Sequence, residues 1–199
     1  MRRFVDIAVA LIALAALSPF LLVIVLAVFI SSPGNPFYGG RRAGMNGRNF
    51  RMWKFRTMIQ GAAKMGPITG KNDPRVTPIG RILRKTKLDE LPQFFNLLMG
   101  DMTLVGPRPE SPEIVALYTP SQRVVLAVKP GVTGKVQLDS DDESETIPEG
   151  PGAYEYYLAH LMDRKLQMDL EYLHGRTVLT DTKIVLATAG LIFRAFARH

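Results

Sequence analysis

"IAVALIALAALSPFLLVIVLAVFI", Ile7–Ile30, runs for 24 residues without a charge. As one straight helix it would reach about 36 Å, enough to cross the hydrocarbon core of a bilayer. The run is too long for the apolar core of a cleaved signal peptide, and the SSPGNPF that follows is a weak cleavage context. Ser18 and Pro19 sit at its midpoint. Proline removes one backbone hydrogen bond and bends a helix. A serine beside it can bond back to the carbonyl that the bend frees, which makes the bend tolerable in lipid. Basic residues flank both ends, Arg2 and Arg3 before, Arg41 and Arg42 after. The positive-inside tendency then favours both ends on one side of the membrane. Two arrangements satisfy the pattern: a kinked span, or a helix–break–helix that dips into one leaflet and returns.

Beyond this stretch, the 199 residues suffice for one ordinary domain with its own core. No later segment competes for a crossing: Ile184–Phe193 is too short and reads as an interfacial or core helix. The chain carries 25 Lys and Arg against 18 Asp and Glu, a formal charge of +7, which points to an anionic partner. Cysteine is absent, which excludes disulfides, thiolate metal sites and a cysteine nucleophile. The charge is uneven. Thirteen cations and a single acid, Asp73, lie between Ser31 and Leu88, whereas DSDDESE, Asp139–Glu145, packs five acids into a solvated surface loop.

The basic half contains recognisable elements. "FRMWKF", Phe50–Phe55, alternates as a strand does and pairs through an intervening turn with the residues around Phe37. Gly61–Lys71 reads as a flexible loop and fails the phosphate-loop pattern, which excludes a P-loop nucleotide triphosphatase. A helix is predicted over Pro78–Lys85, with Arg81 and Arg84 on one face and Ile82 and Leu83 turned away. A second begins at Asp89 or just before it and ends at Gly100, burying Leu91, Phe94, Phe95 and Leu98. The bland reading of Asp89 and Glu90 is helix capping. The alternative is reactive chemistry: a carboxylate at a helix N-terminus, amid cations, stays ionised at neutral pH, as a nucleophile or metal ligand must. In LVGPRPE, Leu104–Glu110, two prolines restrict Arg108, whose fork geometry suits a phosphate. KPGVTGKVQL, Lys129–Leu138, is a turn leading into a short strand. His160, His174 and His199 are scattered, and no metal is assigned to them.

With these segments in view, the sequence resembles the bacterial sugar transferases of the monotopic phosphoglycosyl transferase family. The matching pieces are KFRTM (Lys54–Met58), the long block Asn72–Glu110, KPGVTG (Lys129–Gly134) and the apolar stretch with its central Ser-Pro. The resemblance implies transfer of a phospho-sugar from a nucleotide diphosphate sugar, usually UDP-linked, to polyprenyl phosphate, leaving UMP. It implies a re-entrant helix broken at Ser18 and Pro19, placed on the cytoplasmic face of a bacterial inner membrane. The expected fold is α+β, mainly helical: a re-entrant helix over 1–32, then a catalytic domain over 33–199 with a small β element and interfacial amphipathic helices. Asp89 would be the nucleophile and the direct contact for Mg²⁺. Glu90 would be a base or a metal-orienting partner. Arg108 and Arg84 are assigned to substrate phosphates, while Lys54, Arg56, Arg75 and Arg81 either bind substrate or tie elements together. Membrane lipids are partners by the same reading, and a homodimer is left open.

The sequence also departs from the family. Lys135 and Val136 follow the TG where members often carry other residues, and the segment after them departs further, so the sugar is not fixed. Asp169 and Tyr172 fall on one helix face and are either functional or packed. Two rival classes remain. A nucleic-acid binder is disfavoured because the cations lie among glycines and prolines with no recognisable binding module. A non-catalytic membrane scaffold would release no nucleotide.

Overall fold

The computed structural model describes residues 2–62, 73–139, 147–148 and 152–197. Most of the glycine-rich loop, the acidic run beyond Asp139, and His199 lie outside the described residues. The fold is α+β and mainly helical, with a long apolar N-terminal helix and two small sheets.

Helix α1 spans Arg2–Ser31, with Pro19 inside it. It is the one helix among the described residues that is long and apolar enough to cross a membrane. The helix is continuous through Ser18–Pro19 instead of stopping there as the expected break would. Pro19 has no N–H to give to the Ala15 carbonyl, and the Ser18 hydroxyl donates to that same oxygen at 2.9 Å. The freed acceptor is therefore satisfied, and the turns on either side carry on.

Strands β1 (Phe37–Ala43) and β2 (Asn49–Phe55) form an antiparallel hairpin whose register pairs Phe37 with Phe55, as the alternation predicts. Phe55 is 2 % exposed, stacks on Phe37 and packs with Ile24, Val28 and Leu83. Helix α2 is Pro78–Lys85, capped by the Thr77 hydroxyl, which accepts from the Gly80 amide at 2.9 Å. Glycine is required at 80: a Cβ there would lie 2.1 Å from the Thr57 carbonyl oxygen, so only glycine lets α2 press onto the end of the hairpin.

The second predicted helix starts later than expected. Leu88–Glu90 is a 3₁₀ turn entered through Lys87 in the left-handed region (φ 58°), and α3 begins after Pro92 and covers Gln93–Met99. Its buried face is also different. Leu97 and Asn96 are fully buried and Gln93 nearly so, whereas Phe95 and Met99 are exposed. The delayed start rotates the face, and the neighbour it meets is a strand edge that needs hydrogen bonds rather than oil. Asn96 supplies them: its Oδ1 accepts from Trp53 N at 2.9 Å and its Nδ2 donates to Arg51 O at 2.7 Å.

Strand β3 (Thr103–Val105) lies parallel to β4 (Gly131–Thr133). The loop that follows β3 packs directly on β4, where a Cβ on Gly131 would be 2.1 Å from Gly106 N. Helices α4 (Pro112–Val115), α5 (Lys135–Asp139), α6 (Ala153–Tyr156), α7 (Met162–His174) and α8 (Val178–Ala197) complete the chain, with a π-helical turn, Tyr157–Leu161, joining α6 to α7. Ile114, Val115, Tyr118, Tyr157 and Leu166 share one core, and Val105, Tyr172 and Ile184 share another.

Both ends of α1 dock on this body. Arg3 donates to the last carbonyls of α3, Leu97 O at 2.5 Å and Leu98 O at 2.6 Å. Asp6, 5 % exposed, accepts from the Thr103 hydroxyl at 3.0 Å and from Leu104 N at 2.9 Å. At the other end, Ile24 and Val28 are buried against Phe55 and Leu83. Between the docked ends, Leu11, Ile12, Leu22 and Val23 are exposed.

Candidate functional site

The site forms where β2, the 3₁₀ turn and the loop after β3 converge. Lys54, near the end of β2, reaches Glu90 Oε1 at 2.6 Å and Asp89 Oδ2 at 3.9 Å. Arg108 approaches the same Glu90 Oε1, Nη2 to oxygen 3.9 Å. Arg84 sits close enough to favour the charged form of Asp89, and its Nε donates to the Thr57 hydroxyl at 2.8 Å. Lys54, Arg84, Asp89, Glu90 and Arg108 therefore come together.

The other nominated cations do not join them. Arg75 is buried in a paired network, Nη2 on Asp73 Oδ2 at 2.5 Å and Nη1 on Ala62 O at 3.1 Å. Arg56 donates to the carbonyls of Ser32 and Pro33 and ties the end of β2 to the residues just after α1. Arg81 is exposed on α2. The shared face expected of Arg81 and Arg84 is not realised either: Arg84 is turned inward with Leu83, and Ile82 is exposed at 58 %. Three helical positions span about 300°, so a neighbour pressed close by Gly80 admits one of the two arginines and leaves the other in water.

The two acids differ. The Asp89 side chain is buried (6 % exposed for the residue), and burial raises its carboxyl's proton affinity, with Lys54, Arg84 and Lys87 acting in the opposite sense and Glu90 adding to the rise. Glu90 is also pushed up by burial, but Lys54 and Arg108 outweigh that and hold it at about 2. The sequence reading places the surrounding cations on Asp89; in the fold they act most strongly on Glu90, because it makes the short contact with Lys54. Capping does not explain Asp89 either. The residue at the cap of α3 is Pro92, without a side-chain cap bond.

Among the described residues no group of three or more His, Asp or Glu side chains gathers to hold a metal. A carboxylate pair fits Mg²⁺ nonetheless, since that ion binds through one or two carboxylates and takes its remaining ligands from water and substrate phosphates. A buried Asp89 whose charge is undercompensated is the member of the pair that a cation would relieve.

Sequence reasoning missed Thr57, which holds Arg84, and Asn96, which holds β2. It also missed what stands behind Arg108. The Arg108 amide donates to Asp169 Oδ2 at 3.2 Å, and the Tyr157 hydroxyl donates to Glu110. The placement of Asp169 and Tyr172 on one helix face was the one legible sign. Asp169 supports the loop, and Tyr172 donates to Asp181 Oδ1 at 2.5 Å within a core.

A family model described as bacterial sugar transferase matches residues 1–195. A UDP-glucose:undecaprenyl-phosphate glucose-1-phosphate transferase of Escherichia coli K12 is 37% identical over 204 residues, covering 98% of this chain and 40% of the relative. An exopolysaccharide production protein, ExoY, of Sinorhizobium fredii is 38% identical over 203 residues, covering 94% and 83%. A UDP-N-acetylgalactosamine-undecaprenyl-phosphate N-acetylgalactosaminephosphotransferase of Aeromonas hydrophila is 34% identical over 189 residues, covering 90% and 44%. The chain thus spans under half the length of the first and third of these and most of the second.

Proposed function

The chain belongs to the bacterial sugar transferase family, and on that premise we propose that it moves a phospho-sugar from a UDP-sugar to polyprenyl phosphate. The observation that carries the reading is the buried acid pair held between Lys54 and Arg108. An Asp89 carboxylate oxygen attacks the β-phosphorus of the donor. The bond from that phosphorus to the bridging oxygen breaks, and UMP leaves with the electron pair. An oxygen of polyprenyl phosphate then attacks the same phosphorus, the aspartyl–phosphorus bond breaks, and the carboxylate is restored. The products are polyprenyl diphosphate sugar and UMP.

Each residue contributes by charge and position, which is where phosphoryl transfer gains most of its rate. Arg108 and Arg84 meet the donor's phosphates. Lys54 stands against both acids and neutralises charge as the diphosphate arrives. Glu90, held at about 2, is a poor proton acceptor at neutral pH, which supports an orienting role for it over that of a base. Asp89 would hold Mg²⁺, and the ion when bound would supply charge neutralisation at the diphosphate.

The re-entrant placement of α1 on the cytoplasmic face of a bacterial inner membrane belongs to the same proposal. Its support is geometric. Arg3 and Asp6 dock near one end, Ile24 and Val28 near the other, about 30 Å apart along the helix, and both ends rest on one folded body. A helix crossing the bilayer could not leave both its ends on the same side. The exposed middle, Leu11 to Val23, is left for lipid.

The test is intact-protein mass spectrometry of detergent-purified protein with Mg²⁺ and a panel of UDP-glucose, UDP-galactose and UDP-N-acetylgalactosamine, without acceptor. The expected result is a mass gain of one phospho-sugar with UMP release, lost in Asp89→Asn and discharged by polyprenyl phosphate. The panel also identifies the sugar. No adduct and no UMP, with or without acceptor, would overturn the reading in favour of a scaffold.

A further inference from the structure

Behind the site, the loop carrying Arg108 rests on a buried group that the reaction above does not use. Asp169, on α7, is 4 % exposed. One of its oxygens, Oδ2, accepts from the Arg108 amide at 3.2 Å; the other, Oδ1, is buried without a hydrogen-bond partner. A buried carboxylate with an unmet oxygen is costly as an anion, and the cost vanishes if that oxygen carries a proton.

The charges around it act in opposite senses. From the loop, the Arg108 charge favours ionisation of Asp169, and the Glu110 carboxylate two residues on opposes it. From α7 itself, Lys165 lies one turn before Asp169 and favours its charge, but its ammonium sits over the Tyr157 ring, 4.8 Å from the centroid. Tyr157, on the π-helical turn, donates its hydroxyl to Glu110. The buried Tyr118, which precedes the Gln122–Ala127 turn, has its hydroxyl's proton held more tightly by burial first, and then by Glu110 and Asp169. Two carboxylates thus flank the arginine's backbone, one satisfied by a tyrosine and one not.

We propose that Asp169 is a positioning residue for Arg108, which in its neutral form leaves the guanidinium turned toward the acid pair and in its ionised form draws it back. The inference rests on Arg108 as a ligand of the donor's phosphates. Burial pushes the Asp169 carboxyl up to about 7, so the two forms exchange across neutral pH. The sign follows. Below about 7 the carboxyl is neutral, its bond to the Arg108 amide is an ordinary one, and the guanidinium faces Glu90 at 3.9 Å. Above it, a second anion competes for the same cation from within a poorly solvated site, where charge interactions are strong.

Two measurements test this. The first is the pH dependence of UMP release at low donor concentration, from pH 5.5 to 8.5, for the wild type, Asp169→Asn and Asp169→Ala. The wild type should fall above pH 7, approaching tenfold per pH unit. Asp169→Asn keeps an acceptor for the Arg108 amide but cannot ionise, and it should abolish that fall. Asp169→Ala removes the acceptor and should lower the rate on the order of tenfold at every pH. The second needs no turnover: an infrared difference spectrum between pH 6 and pH 8 should show a protonated carboxyl band that disappears with a midpoint near 7 and is missing from Asp169→Asn.

A wild-type profile without an alkaline fall, or a fall that persists in Asp169→Asn, overturns the proposal. Should the wild type release no UMP from any donor, the transferase reading fails, and the infrared arm decides for Asp169 alone. An absent or non-titrating band then overturns it.

Discussion

Two walls meet at Arg108, and each contains a pair of acids. The front wall holds Asp89 and Glu90, the rear wall Glu110 and Asp169. Residue type and burial are similar in both, yet Glu90 is held at about 2 and Asp169 is pushed up to about 7. Glu90 has an ammonium at 2.6 Å and a guanidinium beyond it. Asp169 has one backbone amide and an oxygen left unpaired. Company, not burial alone, sets the charge of a buried acid, and this chain keeps Glu90 anionic and leaves Asp169 near its titration point.

The largest expected effect comes from removing the front wall's reactive member. Asp89→Asn should abolish the adduct and lower UMP release on the order of 10³-fold or more, as loss of a covalent nucleophile does. Next, Lys54→Met should cost on the order of 10²-fold in kcat/KM. It should also release Glu90 toward its ordinary range, so the acid limb of the pH profile moves upward, making the front wall behave like the rear one. An unmoved acid limb would break the comparison.

A third change acts on the frame. Asn96→Leu leaves Trp53 N and Arg51 O without their partners and should destabilise the fold by about 3 kcal/mol in denaturant titrations. The smallest effect sharpens the contrast directly, as shifts of a few degrees in Tm across a pH series. Glu90 has a depressed value in the fold, so its contribution is present above its unfolded value and is lost as the pH falls through about 2. The deficit of Glu90→Gln relative to the wild type should therefore shrink toward low pH. Asp169 has a raised value, so the wild type loses stability from it as the pH climbs from about 4 to about 7. Asp169→Asn should accordingly gain on the wild type over that range. Parallel trends in the two variants would mean that the walls do not differ.

Much of the front wall was legible. The alternation in FRMWKF gave the hairpin and hence Lys54, the basic run pointed to the acid pair at its end, and two prolines marked Arg108. Ser18 beside Pro19 foretold the bond to Ala15 O. What stayed hidden were polar residues whose partners lie far along the chain. Asn96 draws no reading from the sequence, because nothing local reveals a strand edge 43 positions earlier. Asp6 draws none either, since its partners Thr103 and Leu104 are almost a hundred residues on. The predicted stripe holds in part: Leu91, Phe94 and Leu98 are partly buried and Phe95 is exposed, because apolar periodicity assumes an apolar neighbour. The sequence leaves Arg75 and Arg56 between binding substrate and tying elements together, and their pairing with Asp73 and with carbonyls appears only in three dimensions.

The amide of Asn96 has a consequence for how crowded copies of this chain behave. β1 already pairs with one edge of β2, and the side chain occupies the N–H and C=O that face outward from the other. An open strand edge is a template on which another chain can add a strand. Here a single carboxamide takes the Trp53 N–H and the Arg51 carbonyl out of that template. A second chain arriving there would find these two groups already engaged and would have to displace a buried side chain to add a strand.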